Sequence, residues 1–197
     1  MKLVIASRNE GKIAEIRAML AGTGLDILSL DDFPGRPPEV VEDGDTFTAN
    51  ARKKALAVAA WSGVFALADD SGLVVDALDG RPGVQSARFA GEDGNTEANN
   101  ALLLDMMKGV PEGSRTAHFQ CVMSLAAPDG RTWETDGRVD GEITGGMAGA
   151  GGFGYDPLFF YPPAGKTFAE MDPGEKNSVS HRAAALRKMA KLIPFLP

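Results

Sequence analysis

The hydrophobic pattern along the chain switches between two periods. Residues 2–6 are a short apolar run rich in branched side chains, ended by the polar Ser7, which predicts a buried strand. Ile13, Ile16 and Leu20 then recur at offsets of three and four, the spacing of a helix that Ser7 or Asn9 could cap and that Gly22 and Gly24 could end. A strand is expected around residues 25–30. Residues 31–45 carry six acids against one arginine, with Pro34, Pro37 and Pro38, and read as loop. Residues 46–62 are alanine-rich and predict a helix stopped by Gly63. Apolar runs at 64–68 and 73–78 flank the polar knot Asp69-Asp70-Ser71-Gly72 and read as paired or successive strands. Loop composition fills 79–95. A helix is expected over 96–108, capped by Thr96, with Glu97 in its first turn. Residues 115–144 predict a long hairpin turning at Pro128-Asp129-Gly130. Six glycines crowd residues 145–154, a short strand is expected at 157–161, and an amphipathic helix closes the chain near 180–192. Helices alternate with strands early and an antiparallel pair comes late, so the fold class is α/β or α+β around a mixed sheet, with no internal repeat and no linker.

A length of 197 residues suggests one domain, or two intimately packed lobes. The formal charge of −7 argues against a general nucleic-acid binder but leaves room for a local basic pocket. One cysteine, Cys121, excludes a disulfide framework within the chain, and with only two histidines a structural zinc site is disfavoured. Glycine is in excess, 24 of 197 residues, or about 12% against a usual share of about 7%. The first apolar run is too short for a signal-peptide core, and no stretch approaches the length of a membrane span. These features read as a soluble, cytoplasmic protein without a membrane partner.

Five segments could carry chemistry. Ser7-Arg8-Asn9-Glu10-Gly11-Lys12 joins a strand to a helix, where free backbone N–H groups and the positive helix end suit a phosphate. It is not a Walker A loop, and a plain capped helix fits it equally well. Glu42 precedes a helix on which Thr46, Asn50 and Lys54 share one face. Taken alone, that stripe reads sooner as a solvated face than as a phosphate and metal site. Asp69 and Asp70 lie between strongly apolar runs, where uncompensated carboxylates are costly. A divalent cation would compensate them, and a carboxylate there could take a proton from an attacking water, although Asp-Asp-Ser-Gly is also good turn composition. Gly151 to Pro157 combines close backbone approach with the flat faces of Phe153 and Tyr155. Finally, His181 and Arg182 open the last helix, where cations oppose the helix dipole unless an acceptor-rich ligand lies nearby.

These segments together resemble the inosine triphosphate pyrophosphatases, also called XTP/dITP diphosphatases. The matching stretches are Ser7-x-Asn9-x-x-Lys12; Glu42-x-Gly44-x-Thr46-Phe47-x-x-Asn50-Ala51-x-x-Lys54-Ala55; Asp69-Asp70-Ser71-Gly72-Leu73-x-Val75-Asp76-Ala77-Leu78; Pro82-Gly83-Val84-x-Ser86-Ala87-Arg88-Phe89-Ala90-Gly91; Gly152-Phe153-Gly154-Tyr155-Asp156-Pro157; and Ser180-His181-Arg182-x-Ala184. The resemblance implies an elongated mixed β-sheet flanked by helices, in two lobes around a nucleotide cleft, and a homodimer. It implies Mg²⁺-dependent hydrolysis of non-canonical purine nucleotides (ITP, dITP, XTP) to the monophosphate and pyrophosphate. In that reading Ser7, Arg8, Asn9, Glu10, Gly11 and Lys12 hold triphosphate, helped by Asn50, Lys54 and Ser71. Glu42 and Asp70 ligate Mg²⁺ with Asp69 in support, and Asp70 accepts the proton of the attacking water. Phe153, Gly154, Tyr155 and Asp156 flank base and sugar, while Lys176, His181 and Arg182 reach the base edge. Three other readings share parts of the pattern: a Maf-like nucleotide pyrophosphatase, a Mg²⁺ phosphatase with an aspartyl nucleophile, and a nucleotide-binding module without turnover.

Overall fold

The structure, a computed structural model, describes residues 1–193 of the chain. Among these residues seven strands form one mixed sheet: β1 (Lys2–Ile5), β2 (Asp26–Leu28), β3 (Phe65–Val75), β4 (Thr116–Ala126), β5 (Thr132–Ile143), β6 (Phe159–Tyr161) and β7 (Lys166–Thr167). Their order is β2-β1-β3-β4-β5-β6-β7. β1 pairs in parallel with β2 and β3, whereas β6 is antiparallel to both β5 and β7. Among the described residues five α-helices accompany the sheet: α1 (Glu10–Leu20), α2 (Phe47–Ser62), α3 (Thr96–Met106), α4 (Pro173–Val179) and α5 (His181–Leu192). The chain divides into two compact units. The first takes in Met1–Asp70, Cys121–Gly137 and the chain from Arg182; the second takes in Ser71–Gln120 and Arg138–His181.

In the first unit, strand periodicity sorts the core. Successive side chains of a strand point to opposite faces. Leu3, Ile5 and Leu67 therefore join Ile16 and Leu20 of α1 and Leu186 and Met189 of α5 in one cluster. Val4, Ala6, Ala66 and Ala68 join Ala55, Val58 and Ala59 of α2 in another. Both faces are covered, which is why these strands read as unbroken apolar runs. In the second unit β5 is covered on one face only. Val139 and Ile143 pack with Leu103, Phe119, Phe159 and Phe168, while Arg138, Asp140 and Glu142 face out.

Several elements differ from the sequence reading. The two strands expected at 64–68 and 73–78 are one continuous strand, and the acidic knot lies inside it rather than in a turn. The acids can stay there because each has a cationic partner, as described below. The cap of α3 is Asn95, whose side chain accepts from the Ala98 N–H, and not Thr96. The C-terminal helix begins at His181, but α4 precedes it, separated by Ser180 in extended conformation. Its signal was present: Asp172 and Glu175 form a reciprocal capping box with Pro173 at the first helical position. β7 has two residues, too few to show a period. The expected loop at 79–95 holds a 3-10 helix over Gly83–Arg88. The other strands and α-helices match to within a residue or two at their ends, and the Ala127–Arg131 connection lies where the hairpin turn was expected. Among the described residues, no helix is long and apolar enough to cross a membrane.

Candidate active site

The first unit builds its site around Asp69 and Asp70, which are 2% and 7% exposed. As neighbours on β3 they point to opposite faces. Asp69 follows the register of Leu67, toward α1 and α5. Its Oδ2 lies 3.1 Å from Lys12 Nζ and accepts from Arg182 Nη2 at 3.0 Å and Nε at 3.3 Å. Arg182 also donates through Nη1 to Glu15 Oε2 at 2.5 Å. Burial alone would raise the Asp69 carboxyl, but Lys12 and Arg182 hold it far below the usual carboxylate range. The guanidinium is fully buried, and Asp69 and Glu15 outweigh its desolvation, so it stays charged.

Asp70 follows the register of Ala66 and Ala68, toward α2. Its Oδ2 accepts from Asn50 Nδ2 at 3.1 Å, and its Oδ1 lies 3.5 Å from Lys54 Nζ. Lys54 Nζ also pairs with Glu42 Oε2 at 2.8 Å, so one ammonium bridges two carboxylates. Burial, reinforced by the like charge of Glu42, pushes the Asp70 carboxyl up to about 6 against the opposing pull of Lys54, Lys12 and the Asn50 hydrogen bond. Lys54 is itself raised: Asp70, Asp69 and Glu42 outweigh its burial. The two adjacent acids are thus set apart chemically, one locked as an anion and one poised near neutrality.

Other nominated residues of this unit serve geometry. Asn9 caps α1, its Oδ1 accepting from the Lys12 N–H at 3.0 Å, and Ser7 Oγ accepts from the Asn9 N–H at 3.1 Å. Arg8 and Glu10 are exposed, while Gly11 and Lys12 are half-buried. Lys12 reaches Asp69 from the first turn of the helix. In the Glu42 segment, Thr46 is occupied as the cap of α2, accepting from the Ala49 N–H. Asn50, which also accepts from the Gly44 N–H at 2.8 Å, ties the acidic loop to Asp70. A Cβ at Gly44 would lie 2.7 Å from Asn50 Oδ1, so only glycine fits there without displacement. The sequence reading missed Glu15, although Lys12 and Glu15 share a helix face at an offset of three.

The donor set bears on a metal. Among the described residues, no group of three or more His, Cys, Asp or Glu comes together to hold an ion. Glu42 and Asp70, however, already share one cation in Lys54. A hard divalent ion such as Mg²⁺ commonly takes one or two carboxylates, keeps water and binds substrate phosphates for the rest. Those two residues fit that pattern. Asp69, taken up by Lys12 and Arg182, stands behind it.

In the second unit, Asp156 is the hub. Its Oδ2 accepts from the Phe153 N–H at 2.8 Å and from Lys176 Nζ at 2.5 Å. Lys176 is 4% exposed, and its ammonium lies 4.5 Å from the centre of the Phe153 ring. Gly152 has φ +70°, and a Cβ there would overlap the Asp156 carboxylate. Tyr155 donates its hydroxyl to the Ser86 carbonyl at 2.8 Å, and burial holds its phenol well above the usual range. His181 stacks on Phe119 with ring centres 4.7 Å apart and planes at 13°. Ser71, beside the acid pair in sequence, is half-buried. The clustered glycines have a packing reason as well: a Cβ at Gly149 would overlap the backbone at Ala169.

A family model described as the Ham1 family matches residues 3–192. A dITP/XTP pyrophosphatase of Geobacter sulfurreducens is 54% identical over 185 residues, covering 94% of this chain and 92% of that protein. One from Desulforamulus reducens is 52% identical over 193 residues, covering 98% and 96%. Among solved structures, a HAM1 protein from Coxiella burnetii superposes with a TM-score of 0.89 at 35% identity, covering 100% of both chains.

Proposed function

Since the chain belongs to the Ham1 family, we propose that it is a dITP/XTP pyrophosphatase, a hydrolase that cleaves purine nucleotides bearing hypoxanthine or xanthine to the monophosphate and pyrophosphate. The observation that carries this reading is the division of labour between the two buried acids: Asp69 is ion-paired through Oδ2 with Lys12 and Arg182, while Asp70 shares the Lys54 ammonium with Glu42.

In the proposed reaction, Ser7 to Lys12 present backbone N–H groups and one ammonium to the triphosphate at the start of α1. Asn50 and Lys54 add an amide and a second ammonium from α2. Glu42 and Asp70 would hold Mg²⁺. When bound, that ion would acidify the nucleophilic water and offset charge growing on the departing pyrophosphate. Asp70 accepts the water's proton. Burial raises the proton affinity of that carboxyl in the metal-free protein, which suits a proton acceptor. Lys12 and Lys54 neutralise oxygens that gain charge as the bond between the α-phosphorus and the bridging oxygen breaks. No side chain needs to form a covalent intermediate.

In the second unit, Phe153 offers a flat face for a base, and Lys176 and His181 supply N–H donors; Arg182, expected from the sequence to join them, has its guanidinium engaged by Asp69 and Glu15 instead. Hypoxanthine and xanthine carry an acceptor at position 6 where adenine carries an NH₂ donor. A site of donors pairs with the former and leaves the latter mismatched. With Mg²⁺ present, kcat/KM for dITP and XTP is therefore expected to exceed that for ATP by roughly 10²-fold or more. Equal rates across the panel would overturn the base-reading assignment, and orthophosphate as the first product would overturn the reaction. Replacing His181 with Ala should narrow the preference for dITP over dATP about tenfold if it supplies one charge-assisted hydrogen bond to the 6-oxo group. The ratio is the useful readout, because a general loss of folded protein leaves it unchanged.

A further inference from the structure

The glycine-rich segment that ends in Phe153-Gly154-Tyr155-Asp156 is held from behind by α3. Asn100, 4% exposed on that helix, donates through Nδ2 to the Gly154 carbonyl at 3.0 Å. At the other end of the segment, Arg115 donates to the Thr144 carbonyl at 3.3 Å and to the Met107 carbonyl, at the C-terminal cap of α3, at 3.4 Å. The Tyr155 hydroxyl fixes the next residue to Ser86. Ser86 is in turn tied by its carbonyl to Asn99, the neighbour of Asn100, through Nδ2 at 3.5 Å.

Asn100 and Asn99 differ in a telling way. Asn99 uses both ends of its amide: Oδ1 accepts from the Ala90 N–H at 2.7 Å, and Nδ2 donates to the Ala87 carbonyl at 3.0 Å. Asn100 uses one. Its buried Oδ1 has no hydrogen-bond partner among the described residues. An unsatisfied buried acceptor disfavours the folded state, and a leucine at this nearly closed helical position would avoid it. What leucine could not supply is the N–H group on Gly154. Gly154 itself sits at φ +62°, between Phe153 and Tyr155, so Asn100 holds the backbone one residue beyond the Phe153 ring.

We propose that Asn100 is a positioning residue for substrate: through the Gly154 carbonyl it fixes the Phe153–Asp156 segment in the geometry that receives the purine. This rests on the assignment of that segment to the base. Two measurements on Asn100→Leu test it. The first is amide hydrogen exchange without nucleotide, which is independent of turnover. Exchange over 152–156 should speed up tenfold or more, while β1 stays as protected as in the wild type. The second is steady-state kinetics with dITP. KM should rise about tenfold with kcat within threefold of wild type, because the chemistry sits with Asp70 and only the presentation of the base is loosened. Asn100→Asp, which keeps the shape but replaces the donor by an oxygen facing the carbonyl, should do the same or worse. Unchanged exchange over 152–156, or a fall in kcat at constant KM, would overturn the proposal; so would an unaltered KM despite faster exchange. A wild-type protein without dITP hydrolysis is a different outcome: it removes the base assignment, and the exchange result then decides the anchoring alone.

Discussion

Asp70→Asn is expected to lower kcat for dITP by roughly 10³-fold or more, since in the proposed reaction Asp70 is both the general base, worth about 10² to 10⁴ on its own, and an anionic ligand to Mg²⁺. The same substitution is expected to stabilise the fold. Asp70 has its carboxyl raised to about 6 in the folded protein, above its ordinary value of 3.8. The folded state therefore binds more protons than the unfolded chain between those values. Stability falls as pH rises through that window, and the full penalty is present above it. At pH 8, with metal chelated, Asp70→Asn should gain on the order of 2 kcal/mol, and below pH 4 the two proteins should melt together. A stabilised but inactive variant separates this account from one in which Asp70 merely holds β3 in place, for that role requires the variant to lose stability. Near-normal turnover by Asp70→Asn would remove Asp70 from the reaction.

The second large effect concerns Asp69. Arg182→Leu takes the guanidinium away from the buried Asp69 carboxylate and from Glu15, leaving Lys12 Nζ 3.1 Å from Asp69 Oδ2. Breaking a buried pair from one side costs about 3–5 kcal/mol, which for a chain of this size lowers Tm by roughly 6–20 °C. The pH dependence has the opposite sign to that at Asp70. Asp69 is held below its unfolded value, so its contribution is complete above about 4 and fades as pH falls further. The deficit of Arg182→Leu should therefore shrink in acid. Pairing Arg182→Leu with Asp69→Leu should recover part of the loss, because the orphaned charge goes with its partner. A melting point within about 2 °C of wild type for Arg182→Leu at pH 7 contradicts the assignment of a stabilising ion pair there.

Much of this arrangement was legible in the residues. The offset of Ile13, Ile16 and Leu20 gave α1, and the alanine run with Gly63 gave α2, because burial stripes and caps are written locally. The Asp-Gly turn placed the long hairpin. The acidic knot was legible as costly but not as strand: nothing local shows that Lys12, 57 positions earlier, and Arg182, 113 positions later, come to Asp69. That compensation is tertiary, and it overrides turn propensity. The opposed directions of Asp69 and Asp70 follow from strand periodicity once the strand is known, and so does their chemical difference. Glu15 was invisible for the same reason, since its partner lies 167 residues away. Asn100 carries no motif at all. Only the fold reveals that a helix-borne amide meets the Gly154 carbonyl 54 residues on. The net charge of −7 also reads differently now: Lys12, Lys54 and Arg182 are gathered at the acid pair, and the excess of acid lies largely elsewhere.

In the proposed reaction water, deprotonated at Asp70, attacks the α-phosphorus and expels pyrophosphate. Hydrolysis of dITP with Mg²⁺ in H₂¹⁸O, followed by mass spectrometry of both products, tests it directly. One ¹⁸O is expected in dIMP and none in pyrophosphate. Label in pyrophosphate, or release of dIDP with labelled orthophosphate, would contradict it.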